Sequence, residues 1–347
     1  MDTLDTIAFA RALVDIDSTT GREAEAGEWL ASSLTRLGYQ VTKQPVNDGR
    51  FNIVATIDAP DVVLSTHYDC VPPFIRSSLG DGKLFGRGSC DAKGILAAQV
   101  AAVERLRAGG QRRVGLLFVV GEERGSDGAA AANETPLASR FLVNGEPTDN
   151  RLANSTRGAL RVRLHARGRA GHSSAPERFE SAIEKLVDAV VRLRTLPLPA
   201  DPMMGATSYS VGLIEGGVAP NVVPANASCE VMFRIVGAAD DVVAALAPLT
   251  PLVDIEEILR VSPVRLHTVP GIPSASFPYT TDIPLLNRWG APLLFGPGSF
   301  LVAHTDDEHV ELKELESAID AYARIATELS VESGRSSSPL SGDRSPK

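Results

Sequence analysis

Five short stretches of this chain carry residues whose types and spacing could do chemistry together. His67-Tyr68-Asp69 follows the apolar, β-branched run 62–66, so His67 falls where a buried strand should leave its sheet. Alternation along a strand puts His67 and Asp69 on one side, which suits a metal-ligating imidazole and the carboxylate that fixes its tautomer. Gly86-Arg87-Gly88-Ser89-Cys90-Asp91-Ala92-Lys93-Gly94 is a glycine-rich turn that delivers Asp91 just ahead of an apolar helical stretch, 95–106. A carboxylate held between loop and helix can bridge two cations. The hydrophobic run 114–120 ends in Gly121-Glu122-Glu123. Neighbours at a strand end face opposite ways, so one glutamate can ligate while the other faces substrate or water. Asn144-Gly145-Glu146 repeats the idea at the next strand end, and Ala303-His304 adds a second imidazole late in the chain. Two histidines with Asp91, Glu122, Glu123 and Glu146 suit a pair of divalent cations about 3.5–4 Å apart, zinc first among them.

Such residues need a frame. Apolar periodicity predicts helices over 4–16 and 22–37, then strands over 52–57, 62–66, 114–121 and 140–144 with helices over 92–106 and 126–132 between them. That alternation argues for an α/β domain with a mostly parallel sheet covered on both faces, whose ligand sites gather at the carboxyl ends of the strands. From about 156 the pattern changes to strand 159–166, helix 179–193, strands 207–214 and 228–235, helix 239–246 and strand 253–261. The order β-α-β-β-α-β is the split ferredoxin-like unit. Strand and loop resume at 290–296 and a long helix over 312–329 closes the chain. The expected division is therefore a discontinuous catalytic domain, 1–155 with 266–331, around an inserted domain, 156–265. A tail, 332–347, rich in Ser, Pro and charge, is expected to be disordered.

Composition narrows the classes. The 347 residues carry a net charge of −9 and no Lys/Arg-rich run, which argues against nucleic-acid or anionic-membrane partners. No stretch has the length and apolarity of a membrane span, and the acidic start lacks an export leader. Cys70, Cys90 and Cys229 are odd in number and far apart, which reads as reduced thiols in a cytoplasm.

The segments His67-Tyr68-Asp69-Cys70-Val71-Pro72, Gly86 to Gly94, Gly121-Glu122-Glu123, Gly145-Glu146-Pro147-Thr148 and Ala303-His304 together resemble the zinc peptidase/deacylase family. That family includes acetylornithine deacetylase, acetyl-lysine deacetylase, succinyl-diaminopimelate desuccinylase and aminoacylase. The resemblance covers residues 5 to 330 and implies that Asp91 bridges two metals, with His67 and Glu146 completing one site and Glu123 and His304 the other. It implies Glu122 as general base, Asp69 as the group orienting His67, and a cis peptide bond after Asp91. It also implies that the inserted ferredoxin-like domain is a lid through which the chain forms a homodimer. In the lid, Gly171-His172-Ser173-Ser174 resembles the segment whose histidine stabilises the oxyanion, in dimers from the neighbouring subunit. Asn221, in Gly216 to Pro224, and Arg234 match substrate contacts, the arginine gripping a carboxylate. The implied cofactors are two zinc ions, with cobalt an alternative.

Duller readings weigh against some of these. Arg234 could equally be a salt-bridged sheet residue, Cys90 is packing, and His165, His267 and His309 lie in no motif. Gly86 to Gly94 lacks the GK[ST] ending of a phosphate loop. The expected activity is a metal-dependent amidohydrolase acting on an N-acyl amino acid, with N-acetylornithine or a similar N-acetyl basic amino acid as substrate. The alternatives are a succinyl-diaminopimelate desuccinylase, a metallo-dipeptidase or carboxypeptidase, and lastly a non-catalytic scaffold. Glutamate rather than aspartate at 146 leans towards deacylases and carboxypeptidases.

Overall fold

A computed structural model of the chain describes residues 4–335, with side chains as far as 331. It divides into two compact units, one of 1–154, 266–275 and 281–347 and the other of 155–265 and 276–280. The short stretch 276–280, expected in the outer domain, thus groups with the insertion.

The first unit is built on a six-stranded sheet. From edge to edge the strands are Gln40–Pro45, Phe51–Thr56, Val114–Val119, Val62–His67, Phe141–Asn144 and Ala291–Leu294. The last four run parallel to one another and Phe51–Thr56 runs against them. Period-2 alternation sorts their side chains into two cores. Val62, Leu64, Leu116 and Phe118 pack under the helices Thr6–Val14, Ala24–Arg36, Lys93–Ala108 and Leu312–Arg335, while Val63, Leu117, Val119 and Leu142 pack with Ala129, Ala132 and Trp289 on the other face. Lys93–Ala108 is buried almost all round because it is pinned between the sheet and the helices on either side of it.

Two elements differ from expectation. Gln40–Pro45 was not foreseen: it is a polar, mostly exposed edge strand, and half-solvated pairing leaves no apolar period to read. The closing helix runs to Arg335, so 332–335 continue it rather than begin a disordered tail, and 336–347 lie outside the described residues. A small sheet also links distant loops, with Lys83–Phe85 pairing antiparallel to both Ser78–Gly80 and His309–Glu311.

The second unit has the order β-α-β-β-α-β: Gly158–Arg167, Ala182–Leu193, Ser208–Gly216, Asn226–Ile235, Ala239–Ala245 and Asp254–Val261. Its antiparallel sheet places Ser208–Gly216 at one edge, then Asn226–Ile235, Gly158–Arg167 and Asp254–Val261. Alternate residues Leu160, Val162 and Leu164, with Val231 and Phe233, bury themselves under Leu186, Ala189 and Val242. The opposite face carries Arg163, His165, Glu230 and Glu256 in ion pairs, as a one-sided sheet should. No helix among the described residues is long and apolar enough to cross a membrane.

Candidate metal centre

The first unit brings its predicted site residues to the carboxyl ends of the parallel strands. His67 is the last residue of its strand and is buried. Its Nδ1 lies 3.1 Å from the Asp69 carbonyl oxygen and 3.4 Å from the Asp69 carboxylate. Two acceptors at Nδ1 favour the Nδ1–H tautomer, which leaves the Nε2 lone pair facing Asp91 Oδ1 at 3.1 Å. A lone pair set against an anionic oxygen is repulsive unless a cation, a proton or a metal, sits between them.

Asp91 has one oxygen on each side of the cluster. Its Oδ1 faces His67, and its Oδ2 lies 3.3 Å from His304 Nε2. The same His304 nitrogen is 2.9 Å from Glu123 Oε1. Hydrogen bonds with Asp91 and Glu123 push the His304 imidazole up to about 10. Burial alone would raise Asp91, but the two imidazoles outweigh it and hold the carboxyl below its usual range. The peptide bond after Asp91 is cis.

Glu122 and Glu123 do not sit on the strand, as alternation would have placed them, but in a single 3-10 turn, Glu122–Arg124. The strand ends at Val119, and Gly121 makes the turn with a left-handed φ of 74°. A Cβ at 121 would run into the Asp127 carboxylate, so only glycine fits. The backbone N–H groups of Glu122 and Glu123 donate to Asp69 Oδ1 and Oδ2 at 3.1 and 3.3 Å, and Thr20 Oγ1 donates to Oδ2 at 2.8 Å. Asp69 thus holds the glutamate turn as well as His67. The Glu122 side chain makes no hydrogen bond to the described residues. Burial, then the charge of Asp282, pushes its carboxyl well above the usual range.

Glu146 is buried, and its Oε1 has no hydrogen-bond partner. Burial, then Glu122 and Asp91, pushes it up too. An orphaned carboxylate oxygen beside further acids is costly without a cation to meet it. Donor atoms of His67, Asp91 and Glu123 all lie within 4.8 Å of one another. Oxygen and imidazole donors so gathered fit a borderline-hard divalent cation.

The remaining predicted residues belong to the second unit. His172 is exposed, and its Nδ1 faces the Ser174 hydroxyl at 2.8 Å and accepts the Ser174 backbone N–H at 3.2 Å, an arrangement that favours the Nε2–H tautomer. Asn221 lies beside it, its carbonyl accepting the Ser173 N–H at 3.1 Å. Arg234, near the end of its strand, has no ion-pair partner among the described residues, contrary to the salt-bridge alternative, and burial lowers its pKa. His165 pairs with Glu256, and His309 meets Lys83 Nζ at 3.0 Å.

Sequence reasoning missed two buried acids. Asp282, pushed up to about 7 by burial, lies close enough to raise Glu122. Glu308 underlies the Asp91 loop. It stands in Asp306-Asp307-Glu308-His309, a charged run that reads as solvated surface.

An α/β sheet with oxygen and imidazole donors gathered at its strand ends is a frame for cation binding, and the family match makes the protein a hydrolase acting on amide bonds. The chain belongs to peptidase family M20/M25/M40, whose profile matches residues 63–328. It is 36% identical to a probable carboxypeptidase of Aspergillus clavatus over 92% of this chain and 81% of that one. Among solved structures it resembles aminopeptidase PepT from Bacillus cereus, with a TM-score of 0.80 at 21% identity over 95% of this chain and 99% of that one. It also resembles the YXEP protein of Bacillus subtilis, a dinuclear metal-binding peptidase of the M20 family, with a TM-score of 0.72 at 14% identity over 94% and 97% of the two chains. These relatives are named as peptidases. That favours the dipeptidase or carboxypeptidase alternative over an acetylornithine deacetylase.

Proposed function

We propose that this protein is a dinuclear metal-dependent carboxypeptidase or dipeptidase. The observation that carries it is Asp91 with one oxygen towards His67 and the other towards His304, which in turn meets Glu123. In this reading His67, Glu146 and Asp91 would hold one divalent cation, and Asp91, Glu123 and His304 the other. Cations there would supply Lewis acidity for the scissile carbonyl and a lowered pKa for water. Glu122, buried and with no hydrogen bond from its side chain to the described residues, would take a proton from water at its carboxylate and pass it to the leaving amine. Asp69 keeps the imidazole tautomer and the glutamate turn in place throughout.

The choice of peptidase over deacetylase rests on the carboxypeptidase relative and on Arg234, a partly buried guanidinium with no anion to pair with among the described residues. A substrate carboxylate would satisfy it by a bidentate fork. The His172 tautomer supports a donor role towards a developing oxyanion. Ser208–Gly216 is an open sheet edge with Leu213 and Ile214 about two-thirds exposed, and the exposed Ile183, Val187 and Val191 share a face of Ala182–Leu193. These support self-association through this unit. The three buried, unpaired thiols support a reducing compartment.

The test is release of free amine from dipeptides, N-blocked dipeptides and N-acetyl amino acids by zinc- or cobalt-loaded protein, with a chelated control. Chelator-sensitive cleavage of the peptides is expected. Turnover confined to N-acetylornithine or N-acetyl-lysine would restore the deacetylase, and none at all with two metals bound would favour a scaffold.

A further inference from the structure

Glu308 is buried at 1% exposure, and its carboxylate is met by four donors. Its Oε1 accepts the backbone N–H of Gly88 at 2.9 Å, Cys90 at 3.2 Å and Asp91 at 3.1 Å, and its Oε2 accepts from Arg87. Its own carbonyl accepts the Gly86 N–H at 3.1 Å and the Ser89 hydroxyl at 3.3 Å. The Asp91 loop is therefore wrapped around one residue of another loop. Arg87 also donates to the Thr305 carbonyl at 3.1 Å, next to His304. The antiparallel pairing of Phe85 with His309 fastens the two loops just outside this knot.

The same loop, 304–308, thus holds Asp91 at both ends. His304 meets its carboxylate and Glu308 its backbone N–H. His67 has no such dependence, since Asp69 seats it. We infer that Glu308 is a positioning residue that ties the Asp91 backbone to the His304 loop, so that both cation sites, which share Asp91, depend on it, and the Glu123–His304 site more strongly because His304 stands on the same loop. This rests on the dinuclear reading above.

Glutamine at 308 cannot serve. Its NH₂ would have to face either three backbone N–H groups or the Arg87 guanidinium, and the buried arginine would lose its counter-charge. The experiment is zinc titration of chelator-stripped full-length protein by calorimetry, for wild type and Glu308→Gln. Wild type should bind two equivalents. The variant should bind the second zinc about 10–100-fold more weakly, as when a group behind a metal ligand is removed, and the first less so. Added to His304→Ala, Glu308→Gln should weaken the remaining zinc, which still needs Asp91, but by less than it weakens the second zinc in otherwise wild-type protein. Glu308→Asp, which keeps the charge opposite Arg87 but is too short to reach all three amides, should show the same selective loss if the glutamine variant does not fold. Equal weakening at both sites, or none, with wild type binding two, overturns this inference alone. Fewer than two equivalents in wild type overturns the dinuclear reading and this inference with it.

Discussion

Asp69 accepts the backbone N–H of Glu122 at 3.1 Å, so the carboxylate that orients His67 also fixes where the proposed base stands. Asp69→Asn should therefore harm both. Its NH₂ group must face a backbone N–H, the Thr20 hydroxyl or the His67 ring, none of which can all be satisfied at once. Metal affinity should fall about 10–100-fold, read by zinc titration, and turnover should stay low even at saturating zinc. Full turnover at saturating zinc would mean that Asp69 acts on the ligand alone.

Glu122→Gln should leave zinc content and melting temperature unchanged while turnover falls by about 10²–10⁴. The side chain makes no hydrogen bond to the described residues, so little else depends on it. Activity near that of wild type would show the base assignment to be wrong.

Gly121→Ala tests the turn itself. The left-handed backbone at φ 74° costs an alanine about 1–2 kcal/mol, and the contact with Asp127 adds to that. Since Asp127 also pairs with Arg50, denaturant melts should show a clear loss of stability together with weaker metal binding. Unchanged melts would mean that the turn relaxes at no cost.

Acid should act on the fold through Asp61, at the head of the His67 strand. Arg113 donates to both its oxygens at 2.6 Å and, against the effect of burial, holds the carboxyl below its usual range. A lowered folded-state pKa gives stability that is present above the unfolded value of about 4 and lost as pH falls through the folded value. Asp61→Asn should thus cost up to about 1 kcal/mol at pH 7, the limit for a solvent-screened pair, and the cost should shrink as pH falls below about 4 and vanish below the folded value. Urea melts across that range decide it; a cost that persists in acid would place the effect elsewhere.

What could be read from the sequence followed from burial. His67, Glu122, Glu123 and Glu146 close apolar runs, and a charge that interrupts such a run stands out. The alternating cores of the inserted unit were readable for the same reason, as Leu160, Val162 and Leu164 show. What could not be read was bonding to backbone. Nothing in the residue types tells that Asp69 accepts two amides or that Glu308 accepts three, because an N–H has no identity in a sequence. Gln40–Pro45 escaped for a related reason, since an edge strand is held by main-chain pairing rather than by a buried face. Alternation does not place the glutamate pair: the strand ends at Val119, and the left-handed Gly121 turns Glu122 and Glu123 out of its period.

The order in which the donors occur along the chain bears on how the enzyme is made. A ribosome that has synthesised everything up to Phe300 has supplied His67, Asp91, Glu123 and Glu146, yet neither His304 nor Glu308. A nascent or prematurely terminated chain can gather four of the five proposed cation donors and complete only the His67–Glu146 set. If both sets are needed for turnover, amide cleavage is withheld until translation has passed the inserted unit and nearly reached the closing helix, so incomplete products would be inert towards their neighbours.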